Sequence, residues 1–135
     1  MTALTQNILC IDDDIDTREL IKFVFRQSNY QVTACSSPSE GLQNARLDGF
    51  DAIILDNRFA ETTGIDICRE IRSFDSKTPI VLFSADARQS EKEKALTAGA
   101  NSYLVKPNDF EKLTETVITL IEKTGKSNAF FPLKP

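Results

Sequence analysis

Short apolar runs alternate along this chain with longer segments in which apolar residues recur at helical spacing. The runs are bounded by polar residues and have the length of buried β-strands. We predict strands at 7–11, 30–35, 52–55, 79–83 and 102–105. Strands that alternate with helices in this way are typical of a parallel sheet covered on both faces. The pattern therefore predicts an α/β fold.

The segments between the strands differ in how apolar they are. The first predicted helix carries Leu20, Ile21 and Phe25 on one face, and the second begins after a capping residue, Ser37. The fourth predicted helix, near 87–98, is almost wholly charged or polar over its first half. Because few of its side chains can be buried against a sheet, we expect this helix to be the least firmly anchored.

The order of the elements predicts where polar residues meet. Five strand–helix alternations with right-handed crossovers give a doubly wound five-stranded parallel sheet, strand order 2-1-3-4-5, with five helices distributed on both faces. The first and third strands are then neighbours. Polar residues follow four of the strands directly: Asp12 and Asp13, Asp56, Ser84 and Lys106. Because the carboxyl ends of parallel strands meet at one edge of the sheet, we expect these side chains to share one pocket.

This set of side chains points to phosphoryl chemistry. Carboxylates that are crowded together repel one another, and a divalent cation removes that repulsion. Oxygen ligands with room for water suit Mg²⁺, which usually takes one or two protein carboxylates. A carboxylate beside such an ion can act as a nucleophile toward phosphorus and form an aspartyl phosphate. Lys106 and Ser84 would supply a positive charge and a hydroxyl donor to the phosphoryl oxygens.

Composition excludes several other kinds of site. The chain of 135 residues carries a net charge of -4 and contains no histidine. Histidine triads, histidine-ligated metals and a phosphohistidine of its own are therefore excluded, and the acidity argues against direct binding of nucleic acid. Three cysteines without metal-binding spacing, and no apolar segment of the roughly 18 residues that a membrane span needs, indicate a cytoplasmic protein.

Four segments in this order resemble the response-regulator receiver domain of two-component signalling, over residues 7–123 of the chain. They are 8–14, with its three aspartates, 51–56, 80–85 and 99–107, which ends in Lys-Pro. Residues 1–6 are interpreted as an N-terminal extension. Residues 124–135 are interpreted as a C-terminal tail that lies on the surface or serves as a partner-binding peptide.

The resemblance implies a role for each residue of the acidic pocket. Asp56 is expected to be the phosphoacceptor. Asp12, Asp13 and Asp56, with the backbone carbonyl of Arg58, are expected to hold Mg²⁺. Lys106 is expected to contact the phosphoryl group, and the partner is expected to be a histidine kinase or a phosphotransfer protein.

The resemblance also implies a switch. Ser84 is expected to close on the phosphoryl group while Tyr103 moves inward, and the peptide bond between Lys106 and Pro107 is expected to be cis. No output domain follows the fifth predicted helix, so a single-domain regulator is expected either to act on an unknown protein target or to pass its phosphoryl group onward in a phosphorelay. The face formed by the fourth helix, fifth strand and fifth helix is the candidate for target binding or for a homodimer.

Some local interpretations remain open. Asp14 is interpreted as the N-cap of the first helix. Asp86 is interpreted either as the N-cap of the fourth helix, with Gln89 three residues later, or as an ion-pair partner of Arg58 across the pocket mouth. Ala60 stands where receiver domains commonly have proline, which predicts a looser loop before an ion binds.

Two other classes of function compete with the signalling interpretation. A haloacid-dehalogenase-like phosphatase uses a similar set of groups, but its nucleophile would lie on the first strand, in a motif that the sequence from Asp12 to Asp16 matches poorly. A receiver-like scaffold that is never phosphorylated would bind only proteins.

Overall fold

The computed structural model describes residues 6–47 and 49–124 of the chain. Five strands and five helices alternate strictly through this part. They are β1 (Gln6–Ile11), α1 (Ile15–Arg26), β2 (Tyr30–Cys35), α2 (Pro38–Leu47), β3 (Ala52–Leu55), α3 (Gly64–Arg72), β4 (Ile80–Ser84), α4 (Gln89–Thr97), β5 (Ser102–Val105) and α5 (Phe110–Thr124).

The five strands form one parallel sheet in the order β2-β1-β3-β4-β5. The predicted fold class and strand order are thus confirmed. Ile11 pairs with Leu55, and Leu55 pairs with Leu82, so the carboxyl ends of β1, β3 and β4 lie side by side. β1 and β3 are neighbours although β2 lies between them in sequence, which brings the residues after these two strands together.

Each face of the sheet is covered by its own helices. One apolar cluster joins alternate strand residues such as Leu9 and Ile53 to the buried faces of α2, α3 and α4. The other joins Ile8 and Ile54 to α1 and α5. Successive residues of a strand point to opposite faces, so strands buried on both sides must be apolar throughout. This is why the central strands β1, β3 and β4 are largely apolar runs, whereas the edge strand β2 alternates with polar residues.

α1 and α2 begin with a side-chain cap, whereas α4 does not. Asp14 is the N-cap of α1, and its side chain accepts hydrogen bonds from the Thr17 backbone N–H and hydroxyl, which confirms the prediction. Ser37 Oγ likewise accepts from the Glu40 backbone N–H at 3.2 Å. The prediction that Asp86 caps α4 is wrong: the N-cap is Arg88, with no capping hydrogen bond from its side chain. α4 begins at Gln89, so the Asp86 carboxylate, which accepts from the Arg88 backbone N–H and guanidinium, lies too far before the helix to cap it.

The predicted N-terminal extension and C-terminal tail lie mostly outside the residues that the structure describes. Residues 1–5 and 125–135, which contain most of the predicted extension and tail, lie outside the described residues. The proposed domain boundaries stay predictions. Among the ten helices and strands of the described ranges, no helix is both long enough and apolar enough to cross a membrane.

Candidate functional site

Four strand ends bring the predicted polar residues to one edge of the sheet. Asp12 and Asp56 follow β1 and β3 directly, Ser84 is the last residue of β4, and Lys106 follows β5. The backbone N–H of Lys106 donates to the carbonyl of Ser84 at 2.8 Å, which ties the last two strand ends together. The structure therefore places these residues at one edge of the sheet, as the strand order predicts.

The acidic residues of this edge form a tight group. One carboxylate oxygen from each of Asp12, Asp13 and Asp56 lies within 4.8 Å of the others. Asp12 and Asp56 are buried, whereas Asp13 is exposed. Three hard oxygen donors with one side open to water match the preferences of Mg²⁺, which keeps several of its waters when it binds a protein.

Asp12 is held in place from two sides. Its Oδ1 accepts a hydrogen bond from the Asp14 backbone N–H at 2.9 Å. Its backbone carbonyl accepts another, from Nη1 of Arg18, also at 2.9 Å. Because Arg18 lies on the second turn of α1, the helix fixes the loop that carries the acidic residues.

Lys106 supplies a positive charge inside the pocket. Its Nζ lies 2.8 Å from Asp12 Oδ2 and 3.6 Å from Asp56 Oδ1, so in this state it binds Asp12 more closely than the predicted phosphoacceptor. The peptide bond between Lys106 and Pro107 is cis, which confirms the prediction. The ammonium group balances part of the negative charge that the carboxylates bring together.

Burial and charge shift the two titrating groups at the centre of the pocket. Burial raises the pKa of Asp56, the nearby charge of Asp12 raises it further, and Lys106 opposes both without reversing them. For Lys106, burial lowers the pKa, but the contacts with Asp12 and Asp56 outweigh it and the pKa is raised. Asp56 is thus held in an environment that disfavours its own negative charge, which a bound cation would relieve.

Ser84 and Tyr103 lie next to this pocket. Ser84 is buried, and its Oγ accepts a hydrogen bond from the Asp86 backbone N–H at 3.2 Å. Tyr103 is half-buried, packs against the apolar cluster on the α4 side of the sheet, and donates from its hydroxyl to the Asp86 carbonyl at 2.7 Å. Both side chains are therefore connected to the same short segment after β4.

The segment after β4 also carries two arginine contacts at the pocket mouth. Asp86 accepts from Arg88 Nη2 at 2.7 Å and Nε at 3.0 Å, while Arg58 Nη2 lies 3.8 Å away. The hydrogen bonds from Arg88 hold the pKa of Asp86 well below its usual range. The predicted pairing of Arg58 with Asp86 is present, but Arg88 is the closer partner.

Backbone contacts join the two ends of the loop after Asp56, although position 60 is alanine. Arg58 forms an isolated bridge with Thr63, and the Phe59 backbone N–H donates to the Thr62 carbonyl at 3.2 Å. At Gly64, a Cβ would collide with the backbone carbonyl of Asp56, so only glycine lets α3 begin this close to the pocket. The role of the Arg58 carbonyl as a metal ligand stays a prediction.

Sequence reasoning missed two residues that the structure places beside the pocket. Asn57, directly after Asp56, is buried and hydrogen-bonded to Glu91 of α4. The only local sign that Asn57 belongs to the site is that it is a polar residue close to the end of a buried strand. Nothing local marks Glu91, because its partner lies 34 residues away in the chain.

Comparison with known proteins matches this arrangement to one family. The family described as "Response regulator receiver domain" matches residues 8–118. The chain belongs to the response regulator receiver domain family. Membership decides against the haloacid-dehalogenase-like alternative, and phosphorylation on an aspartate and signalling in two-component systems are typical of receiver domains.

Solved receiver domains share the architecture. The receiver domain of the sensor histidine kinase PA1611 from Pseudomonas aeruginosa PAO1, with a magnesium ion coordinated in its active-site cleft, is 30% identical, with a TM-score of 0.78 over 87% of this chain and 98% of that one. The response regulator TrrA from Thermotoga maritima, in complex with Mg²⁺-BeF, is 27% identical, with a TM-score of 0.78 over 86% of this chain and 99% of that one.

Curated relatives are longer than this chain. The transcriptional regulatory protein ZraR of Klebsiella oxytoca is 32% identical over 129 residues, which are 96% of this chain and 29% of that protein. The response regulator MprA of Mycobacterium leprae is 32% identical over 122 residues, 90% of this chain and 54% of that protein. The chain thus spans about half or less of these relatives, and the resemblance covers the receiver part.

Proposed function

We propose that Asp56 accepts a phosphoryl group from a phosphohistidine on a partner histidine kinase or phosphotransfer protein. The observation that carries this proposal is the grouping of Asp12, Asp13 and Asp56 within 4.8 Å, with Lys106 Nζ 2.8 Å from Asp12 and 3.6 Å from Asp56.

Asp12, Asp13, Asp56 and the backbone carbonyl of Arg58 would hold Mg²⁺. The bound ion would neutralise charge on the acidic cluster and on the transferred phosphoryl oxygens, which is where phosphoryl transfer needs stabilisation. The raised pKa of Asp56 supports this assignment, because burial first and the charge of Asp12 second disfavour the ionised carboxylate, and a nearby cation would favour it.

In the transfer step, a carboxylate oxygen of Asp56 forms a bond to phosphorus while the bond from phosphorus to the donor imidazole nitrogen breaks. The leaving nitrogen keeps the electron pair and is protonated, so the histidine returns to its neutral form. Lys106 shifts toward the new phosphoryl oxygens, and Ser84 donates its hydroxyl to one of them. Later attack by water on phosphorus releases inorganic phosphate and restores the Asp56 carboxylate, so the domain catalyses only its own phosphorylation and dephosphorylation.

Ser84 and Tyr103 would pass the change to the protein surface. When Ser84 turns toward the phosphoryl group, its hydrogen bond with the Asp86 backbone is lost. Tyr103 holds the carbonyl of the same residue, so the two side chains respond together. The face of α4, β5 and α5 is the proposed surface for the protein target or for a homodimer, and Leu96 is an exposed apolar side chain on it.

The proposal also covers the cellular compartment and the classes of partner. We place the domain in the cytoplasm because Cys10, Cys35 and Cys68 are buried thiols without disulfides, which suits a reducing compartment. Direct contact with nucleic acid or membrane is not part of the proposed role, given the net charge of -4.

Phosphoryl incorporation from labelled acetyl phosphate tests the assignment of the acceptor. Labelling should require Mg²⁺ and should be lost in Asp56→Asn. Asp66→Asn is a matched control, because Asp66 is an exposed aspartate on α3 whose side chain pairs with Arg69. Undiminished labelling of Asp56→Asn, or equal loss in Asp66→Asn, would reject Asp56 as the acceptor.

A further inference from the structure

Asn57 is attached through its backbone to the proposed phosphoacceptor. The residue follows Asp56 directly and is 3% exposed. Its backbone N–H donates to Asp56 Oδ1 at 2.8 Å, and its carbonyl accepts from the Gly64 backbone N–H at 2.9 Å. Any change in the charge or direction of the Asp56 carboxylate therefore acts on the backbone of Asn57 first.

The side chain of Asn57 connects two helices. Its Oδ1 accepts from the Ile65 backbone N–H in the first turn of α3 at 3.1 Å. Its Nδ2 donates to Oε1 of Glu91, in the first turn of α4, also at 3.1 Å. Because the carboxylate can only accept and the N–H can only donate, the amide orientation is fixed. The buried side-chain amide of Asn57 thus links the end of β3 to both α3 and α4.

α4 has few other attachments near its start. Ala95 is its only buried residue, and the N-cap Arg88 provides no capping hydrogen bond from its side chain. The second partner of Glu91 is Lys94, at 3.2 Å, which belongs to the same helix and therefore does not tie it to the sheet. The side chain of Glu91 is only 12% exposed, so its hydrogen bond with Asn57 is largely shielded from water and correspondingly strong.

We propose that Asn57 is a positioning residue that carries the phosphorylation state of Asp56 to α4 through its hydrogen bond with Glu91. The inference rests on the proposed phosphorylation of Asp56. Formation of the acyl phosphate removes charge from the carboxylate oxygens, and a hydrogen bond to a charged oxygen is stronger than one to a neutral oxygen. The hydrogen bond from the Asn57 backbone N–H to Asp56 therefore weakens, and the Asn57 backbone moves. The Asn57 side-chain amide transmits this movement to α4 through its hydrogen bond with Glu91.

A purely structural role predicts a different outcome. If Asn57 served only to satisfy the N–H of Ile65 at the start of α3, the bond to Glu91 would be incidental. Removing the Glu91 carboxylate would then leave the response of α4 to phosphorylation unchanged. Glu91 is therefore the residue to mutate, because a substitution there leaves Asp56, Asn57 and the start of α3 unchanged.

The test compares Glu91→Ala, Glu91→Gln and Glu93→Ala by backbone amide NMR, with Mg²⁺ and with or without beryllofluoride. Glu91→Gln keeps an oxygen that can accept from Asn57. Glu93→Ala makes the same change two residues away, at an exposed position whose hydrogen-bond partner is Gln89 of the same helix. In the wild type, beryllofluoride should shift amides at the Asp56 edge and along α4.

In Glu91→Ala, the shifts at the Asp56 edge should remain, and those of α4 should fall by about fivefold, the change in equilibrium expected for one hydrogen bond. Glu93→Ala should behave like the wild type, and Glu91→Gln, whose amide oxygen is neutral, should keep most of the α4 response. An undiminished α4 response in Glu91→Ala, or an equal fall in Glu91→Gln or Glu93→Ala, would overturn the inference alone. Absence of any response at the Asp56 edge in the wild type would overturn the proposed function and this inference with it.

Discussion

α3 and α4 pack on the same face of the sheet and contain nine residues each, yet they are held very differently. α3 buries Ile65, Ile67, Cys68 and Ile71, and its N-cap Thr63 accepts a hydrogen bond from the Asp66 backbone N–H. α4 buries one alanine and lacks a capping hydrogen bond from its N-cap side chain.

The difference assigns the two helices different tasks. Most of the stability of a helix in a protein comes from packing of its apolar face, so α3 is a fixed support for the loop after Asp56. α4 buries only Ala95 and is linked to the end of β3 by one side-chain hydrogen bond, from Asn57 to Glu91, which a chemical event at the pocket can alter. A helix that must respond to a signal is drawn from the weakly anchored part of a fold.

The largest expected effect comes from truncating one apolar side chain in each helix. Ile71→Ala in α3 should lower the free energy of unfolding by about 2–5 kcal/mol, because the side chain is fully buried and leaves a cavity. Leu96→Ala in α4 should change it by less than about 0.5 kcal/mol, because Leu96 is 52% exposed. Urea unfolding measures both. Similar losses in the two variants would show that the helices are equally anchored.

The pocket that α3 supports should respond to Mg²⁺ and to pH. At about 100 times its Kd, Mg²⁺ should raise the free energy of unfolding of the wild type by about 2.7 kcal/mol, and that of Asp56→Asn by less. Thermal unfolding with and without Mg²⁺ measures this. An equal gain in both proteins would contradict a metal site that includes Asp56.

The same variant has a defined pH dependence when Mg²⁺ is absent. Because the pKa of Asp56 is raised in the folded state, that state binds more protons than the unfolded state, and stability falls as the pH rises through the ordinary Asp pKa toward the raised one. Asp56→Asn should therefore be more stable than the wild type at neutral pH. The gain should vanish below about pH 3.9. A gain that persists in acid would indicate a cause other than the carboxylate charge.

A smaller effect than that of Ile71→Ala is expected from the cap of α3. Thr63→Ala should cost about 1 kcal/mol of stability, since it leaves the Asp66 backbone N–H without its side-chain partner. Thr63→Ser keeps a capping hydroxyl and should cost much less. Urea unfolding of the two variants provides the measurement, and equal losses would mean that the methyl group rather than the cap stabilises the helix.

Much of the fold could be predicted from the sequence because strand and helix signals are local. The end of each strand is marked by the change from apolar to polar residues, and parallel strands bring such ends together at one edge. Asp12, Asp13, Asp56, Ser84 and Lys106 could therefore be grouped without coordinates. Their chemical roles came from the family resemblance and not from the periodicity.

The partner that each side chain takes could not be predicted in the same way. Asp86 had a local capping pattern with Gln89, but Arg88 reaches back to its carboxylate and begins the helix itself. The bond between Asn57 and Glu91 joins residues that no local pattern connects. In both cases a side-chain partner was chosen by geometry rather than by spacing along the chain.

The amino-acid sequence by itself determined the α/β fold, the edge of the sheet where the acidic residues gather, and the types of group available there. Only the tertiary structure decided which partners these groups take: Lys106 lies closer to Asp12 than to Asp56, and α4 is tied to the pocket through Asn57. The physical reason is range. Periodicity acts over neighbouring residues, whereas a hydrogen bond forms only where packing brings two atoms to about 3 Å, whatever their separation along the chain.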